Sequence, residues 1–531
     1  MTQKKYEPPD GGWGWMVVIA YSINFTTTLP LMQLFGLLYR KKLEFIGLSA
    51  TDISIIINTN QAFGMLMGLV NGVLLKKMGY RKVAIISTFC TTTGIIFTGF
   101  SNSFIAFLFT YGMLYSLGCG MGISAYTLAL NTYFLKRRTN AVGIALSVSA
   151  LGPIFMPQLV TYLLNHYGER GAAAILGALA SHAFIGAALL QPIKRHLKVV
   201  EVLEDVQEKP MIQIGRKVSQ SDRLPRKLSM TKSSLSIDHD IDSSSIYGFE
   251  SQNLNLSRVS LSAESPLARK QSIYDSYISL ESVHEENDEE QSNENLQLFG
   301  EDTNTNNLED VKSEKKESAL IACFKFVSDI FDLTLLCDPI YVNIMLGMSI
   351  AIFSELNFSM FTALMLSEFG LNNERAATFM SVLAIADLIF RFLSPYIADC
   401  FKKPPRIMYM VSLVLLALTR FLFISVRGYT LLLITAVGLG IAKGLRIIYM
   451  NLVIPAYVPL DKLPGASGIQ MVTNGILFIT GGPFLGFIKD VTGTYRKCVV
   501  LMNLMTLLTV VMWLTEMIIV KVRNTRKVGY P

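Results

Sequence analysis

The sequence is poor in charge. Only 16% of its 531 residues are Asp, Glu, Lys or Arg, against about 25% in an ordinary soluble domain. It has six cysteines and five histidines, with no C-x-x-C pair and no metal-type spacing, and His196, His239 and His284 fall in one polar block. This composition argues against a disulfide framework and gives no reason to expect a metal centre. The chain also lacks a G-x-x-x-x-G-K-[ST] run, so nothing points to an ATPase. No repeated pore-loop filter is visible, which argues against a channel. No feature calls for a cofactor or for nucleic acid.

What is present is apolar surface. Apolar residues make up 51% of the chain, and the mean hydropathy is +0.42. Residues 194–330 hold 17 Lys and Arg against 25 Asp and Glu, a local net of −8, whereas the rest holds 30 against 15, a net of +15. Outside that polar block the chain is long apolar runs with short basic punctuation. A secreted soluble protein, a wholly disordered chain and a typical cytosolic enzyme are excluded. The pattern predicts an all-α polytopic protein of the lipid bilayer.

A helix needs about 20 apolar residues to cross the hydrocarbon. Six such runs precede the block, at roughly 14–38, 53–75, 83–100, 104–130, 141–164 and 171–191, and six follow it, at roughly 340–366, 376–398, 407–426, 430–455, 466–488 and 498–520. The first run is too long for a signal-peptide core and no small-residue cleavage site follows it, so it is expected to remain as span 1. The expected organisation is an N-terminal tail (1–12), a first six-helix half (13–191), a disordered cytoplasmic linker (192–337), a second six-helix half (338–520) and a C-terminal tail (521–531). With both termini inside, 20 basic residues fall in the inner segments and 9 in the outer loops, which satisfies the positive-inside rule. The sequons at Asn24, Asn255 and Asn357 then lie in span 1, the linker and span 7, out of reach of glycosylation.

The halves echo each other. Span 4 carries Gly118, Gly120 and Gly122, with Asn131 thirteen residues after the first; span 10 carries Gly438 and Gly440, with Asn451 at the same distance. Span 5 has Gly143 and later Gly152-Pro153; span 11 has Gly468 and later Gly482-Pro483. Single matches of this kind arise from helix packing alone, but their order favours duplicated six-helix halves, the plan of major-facilitator carriers. The stretch from Gly72 through Lys76, Lys77, Gly79, Arg81 and Lys82 fits that plan's loop between spans 2 and 3, with Lys76 where an Asp is usual.

Two further stretches narrow the reading. Asp10-Gly11-Gly12-Trp13-Gly14-Trp15 leads into span 1, and Tyr133-Phe134-Leu135-Lys136-Arg137-Arg138 is followed by Ala141-Val142-Gly143 at span 5. Both resemble signatures of the monocarboxylate transporter family of the major facilitator superfamily. The resemblance implies an alternating-access carrier at the plasma membrane that moves a small organic anion, in many members with a proton, and in some with a single-pass accessory glycoprotein. It also matches Asp387 and Arg391 of span 8 to the family's acidic and basic pair. One departure stands out: the proton-coupled lactate carriers have a lysine late in span 1, whereas here Pro30 is followed by Leu31, Met32 and Gln33. Efficient proton–lactate symport is therefore not expected.

Charges inside a bilayer cost about 2.5–3.5 kcal/mol each at mid-depth, so each needs a partner or a task. Asp387 and Arg391 stand at i,i+4 and can neutralise each other; they are either a structural pair or a site in which the Arg fork holds a carboxylate while the Asp accepts a proton. Lys443 and Arg446 share span 10 with no acid in the run and suit an anion pathway. Glu355 of span 7 is their expected partner, for ion pairing rather than proton carriage. Arg420 and Glu516 are expected to snorkel at span ends, and His182 to be a bonded core histidine. Asn58, Asn60 and Gln61 read as packing or water contacts. Asp10 can cap span 1, with Trp13 and Trp15 at the interface.

The linker is rich in Ser, Asn and Glu and poor in aromatics, a composition that cannot offset its ordering entropy. Ser219, Ser229 and Ser272 each follow a basic pair, the spacing that basophilic kinases read, although a Ser-rich stretch produces it by chance as well. The rival to a carrier is a transporter-like receptor or scaffold that signals through this block. No catalytic residue is expected.

Overall fold

The computed structural model describes residues 2–134, 137–203, 333–401, 403–459 and 462–528. The chain between 204 and 332, with Ser219, Ser229, Ser272 and Asn255, lies outside the described residues, as does Lys136. The first half consists of α1 (Gly14–Thr28), α2 (Pro30–Gln33), α3 (Phe35–Ile46), α4 (Ala50–Phe100), α5 (Phe104–Phe107), α6 (Ser116–Tyr133), α7 (Arg138–Ser149), α8 (Gly152–Ser181) and α9 (Ala183–Leu189). A π-helical stretch, Leu108–Tyr115, joins α5 to α6 within span 4. The second half consists of α10 (Pro339–Glu368), α11 (Asn373–Phe401), α12 (Pro405–Ser425), α13 (Tyr429–Val453), α14 (Leu463–Thr492) and α15 (Tyr495–Val528), which are spans 7 to 12 in order.

Spans 2 and 3 run together as the 51-residue α4, broken only at Gly79, whose φ is 73°. That left-handed conformation strains any residue with a Cβ and suits glycine, so the expected loop shrinks to one turning residue. Gly168, at φ 64°, separates spans 5 and 6 inside α8 in the same way. Ten stretches among the described residues are long and apolar enough to cross a bilayer, and one of them, Asn140–Leu189, holds two spans. Span 2 is the first part of α4, from Ala50 to Gly79, and carries Asn58, Asn60 and Gln61 within its apolar run. The fold is the expected all-α plan of twelve transmembrane helices in two six-helix halves.

One feature of the described chain is not helical. Thr2–Glu7 pairs antiparallel with Lys198–Leu203, from Thr2 opposite Leu203 to Glu7 opposite Lys198. The N-terminal tail and the first residues of the expected linker are thus a two-stranded ladder, which corrects the expectation of structureless chain over 198–203.

The repeat in sequence is also a repeat in packing. Gly120 of span 4 brings its backbone against span 2, where a Cβ would stand 3.2 Å from the Gly64 carbonyl oxygen. Gly440 of span 10 does the same against span 8, where a Cβ would meet the Leu383 carbonyl and stand 2.9 Å from the Asp387 nitrogen. Small residues at such crossings allow backbones to touch.

Hydrogen bonds bridging the halves cluster at the distal end of the bundle, opposite the end that carries both termini. Asp490 at the end of span 11 accepts from the Ala50 and Thr51 backbone N–H groups, each at 2.8 Å, and from the Thr51 hydroxyl. These are orphan donors of a helix N-terminus, where negative charge is favoured. Ser54 donates to the Gly482 carbonyl, and Asn58 donates to Asn357 at 2.9 Å. Spans 5 and 8 are tied by Ser381 donating to the Ile154 carbonyl at 2.7 Å and by Gln158 donating to Thr378 at 3.3 Å.

Candidate functional site

Below that seal, at mid-depth, a cavity of about 130 Å3 lies between the halves. Tyr21, Phe25, Leu29, Leu356 and Met360 give it apolar walls, while Gln33, Gln61, Thr127, Ser149, Asp387 and Arg391 supply polar groups. A side pocket of about 70 Å3 shares Gln33, Asp387 and Arg391 with it and adds Glu355, Ser359, Thr362 and Lys443. At about 30 Å3 per water, the two together hold roughly seven waters, the room of a small organic molecule.

The i,i+4 reading of span 8 matches the geometry. Arg391 donates from Nε to Asp387 Oδ1 and from Nη2 to Asp387 Oδ2, both at 2.8 Å. This is a bidentate pair, the strongest planar form of the interaction. Span 10 sets its position: at Gly444 a Cβ would fall 2.6 Å from the Asp387 carbonyl and 3.1 Å from the Arg391 nitrogen. The small-residue face of span 10 therefore lets the charged turn of span 8 approach backbone to backbone.

The second cluster differs from the expected one. Glu355 pairs with Arg420 of span 9 through Nη2 and Oε2, and Arg420 is wholly enclosed, at 0% exposure. The snorkelling expected of Arg420 is thereby corrected. Arg420 lies on the face of α12 shared by Leu413, Leu416, Ala417 and Phe423, whereas Val411, Val414, Leu418 and Phe421 are exposed. Arg420 also donates to Thr506 at 3.3 Å, and its guanidinium lies 4.6 Å from the Phe358 ring centre. Lys443, the partner expected of Glu355, stands 4.0 Å from it and donates to Ser359 Oγ at 3.2 Å. Arg446 is buried on the same helix with Nη1 3.3 Å from Met450 Sδ, and is not among the residues lining either cavity.

Other expectations resolve locally. Glu516 is held by Arg406 and by Asn343, whose Nδ2 is 2.9 Å away, and Arg406 lies over Trp513. His182 is exposed and its ring Nδ1 touches only the Ala178 and Leu179 carbonyls of its own helix, so it is not a core histidine. Asn60 donates to the Tyr111 carbonyl at 2.7 Å, a packing role.

The two family stretches meet in space, away from the cavity. Asp10, at φ 47°, donates its backbone N–H to the Tyr133 carbonyl, and its Oδ1 accepts from the Arg137 backbone N–H at 3.3 Å. It thus bonds the start of span 5, whereas span 1 begins without a side-chain cap. A Cβ on Gly14 would stand 2.8 Å from the Phe134 ring, and Trp15 meets that ring edge-on. Trp13 donates to the Leu189 carbonyl and stacks on His196. Arg138 donates to Asn131 at 2.9 Å. At Gly143 a Cβ would find open space.

Fold and site together define a two-half helical carrier scaffold, and the sequence comparisons agree. Residues 14–235 and 344–528 match the Major Facilitator Superfamily, and the chain belongs to it. Within the superfamily its relatives are monocarboxylate transporters. Monocarboxylate transporter 2 of Mesocricetus auratus is 32% identical over 192 residues, 35% of this chain and 39% of that protein. Monocarboxylate transporter 13 of Bos taurus is 30% identical over 187 residues, 35% of this chain and 44% of that protein. The match thus spans less than half the length of these relatives. The crystal structure of the nucleoside transporter NupG superposes with a TM-score of 0.57 over 95% of this chain and 99% of that one, at 12% identity, a likeness of fold alone.

Proposed function

We propose that the chain is a secondary active or facilitative transporter of monocarboxylates or related small organic anions. It works by alternating access in the plasma membrane, with both termini cytoplasmic. One observation carries this reading: a small cavity between the halves, closed at its distal end, has a bidentate Asp387–Arg391 pair on its wall. The distal seal is then extracellular and the conformation inward-facing. Protonation of Asp387 removes the charge that holds the Arg391 fork and frees it for another carboxylate, so the pair can couple anion binding to a proton or to another coupling ion. Neutral Gln33 lines the cavity, and efficient proton–lactate symport is not part of the reading. An accessory single-pass glycoprotein, as in the family, is compatible with it.

Uptake of a panel of labelled organic acids into vesicles, with and without an imposed proton gradient, tests the proposal. Saturable uptake of at least one small organic anion is expected, and lactate uptake should not accelerate with an inward proton gradient. Absence of saturable flux across the panel overturns the carrier reading. Epitopes at residue 250 and at the C-terminus should both need permeabilisation to be labelled, and surface labelling of either in intact cells overturns the orientation.

A further inference from the structure

We infer that Lys443 receives the substrate carboxylate while Arg391 is still held by Asp387, and that it selects monoanions with an apolar body whose charged end enters the side pocket first. This rests on the carrier reading and deepens it to one subsite and one orientation. The argument begins with which cations are already engaged. Arg391 gives Nε and Nη2 to Asp387, and Arg420 is committed to Glu355. Lys443 is held more loosely: it donates to a neutral hydroxyl, Ser359, and the Glu355 carboxylate is 4.0 Å away with its charge met by Arg420. An ammonium has three donors, and Lys443 is only 5% exposed, so a carboxylate entering the pocket would gain a desolvated, charge-assisted partner.

The surrounding charge favours an anion. The cluster holds four cations (Arg391, Arg420, Lys443, Arg446) against two carboxylates (Asp387, Glu355). The shape gives the orientation. The side pocket reaches Thr362, Met380 and Pro157, nearer the distal seal, whereas the main cavity behind it is walled by Phe25, Leu29, Leu356 and Met360. Lys443 lines the side pocket and not the main cavity, so a carboxylate bound to it sits in the side pocket and the body of the anion extends into the main cavity. A second carboxylate on that body would lie in the cavity that Asp387 lines, where Arg391 already gives Nε and Nη2 to Asp387, and burying that further negative charge is costly.

The test uses the full-length protein in lipid nanodiscs, with butyrate, pyruvate and benzoate as monoanion probes, butyramide and benzamide as neutral controls, and succinate as the dianion. Binding is read by thermal stabilisation. The expected result is that at least one monoanion stabilises the wild type more than its amide or succinate does. Lys443→Met should then weaken that binding at least tenfold, and Lys443→Arg should recover most of it. Glu355 keeps Arg420 in the Met variant, so that variant is expected to fold. Should it not, acetylation of wild-type Lys443 by acetic anhydride, read by peptide mass spectrometry, decides the matter: protection by the stabilising monoanion and not by its amide supports the inference, and equal labelling overturns it. Wild-type affinity in Lys443→Met overturns the subsite and leaves the carrier reading standing. No stabilisation by any carboxylate, together with no flux in vesicles, overturns both.

Discussion

The two halves share a scaffold and divide the chemistry unequally. Among the described residues, the buried charged side chains are Glu355, Asp387, Arg420, Lys443 and Arg446, all in the second half; the first half buries Asn24, Asn58, Asn60, Gln61, Asn71 and hydroxyls, all neutral. Equivalent glycines pack equivalent helices in both, yet the crossing at Gly440 is tighter than the one at Gly120. A duplicated fold can therefore keep one half as a neutral packing partner while the other carries groups that each cost about 2.5–3.5 kcal/mol to hold in the membrane. The first half contributes walls and hydrogen bonds to the cavity, and the second contributes its field.

The largest effect expected from this asymmetry follows Arg420→Met. Removing one member of a buried pair strands the other and costs about 3–5 kcal/mol. The variant should lose most of its folded yield and melt far below wild type in detergent. Adding Glu355→Gln should restore much of the loss, and a double variant as unstable as the single would break the pairing. Next come the equivalent glycines. Gly440→Ala forces its Cβ onto span 8 and should cost about 1–3 kcal/mol by overpacking, while Gly120→Ala should cost less; equal melting temperatures would erase the claimed difference between the crossings.

Arg391→Lys keeps the charge and loses the fork. It should reach the surface normally yet carry substrate roughly tenfold more slowly, the equivalent of one charge-assisted hydrogen bond at about 1.5 kcal/mol. Normal uptake at equal surface expression would reduce the pair to a structural one. A smaller effect belongs to the neutral half: Asn58→Ala removes the donations to Asn357 and to the Ser54 carbonyl and hydroxyl and should lower stability by about 1–2 kcal/mol. A loss as large as that of Arg420→Met would show that the halves are not divided in this way.

Run length made the six-plus-six plan legible, because the bilayer imposes its thickness on every span alike. The Asp387–Arg391 pair was legible too, since two opposite charges one turn apart in an apolar run must face each other. Arg420 was misread because its distance from the end of its run suggests an interface residue. Its helical face, shared with Leu413, Leu416 and Phe423, held the better signal. The partner of Glu355 depends on how spans 7, 9 and 10 cross, which no local pattern encodes. The Thr2–Glu7 ladder with Lys198–Leu203 was hidden for the same reason, as strand pairing across such a separation leaves no periodic mark.

The bond between Asp10 and the start of span 5 also sets an order of events during synthesis. Span 1 emerges before the other spans of the first half, yet the Arg137 N–H that Asp10 accepts lies 127 residues downstream. At about 5–20 residues per second, the first helix waits roughly 6–25 s before its signature turn can close, and the Leu189 carbonyl that receives Trp13 arrives later still. The first half is thus fastened by its earliest residues only once its last helices are made, so a nascent chain truncated before span 5 would present the Asp10 to Trp15 turn unlatched.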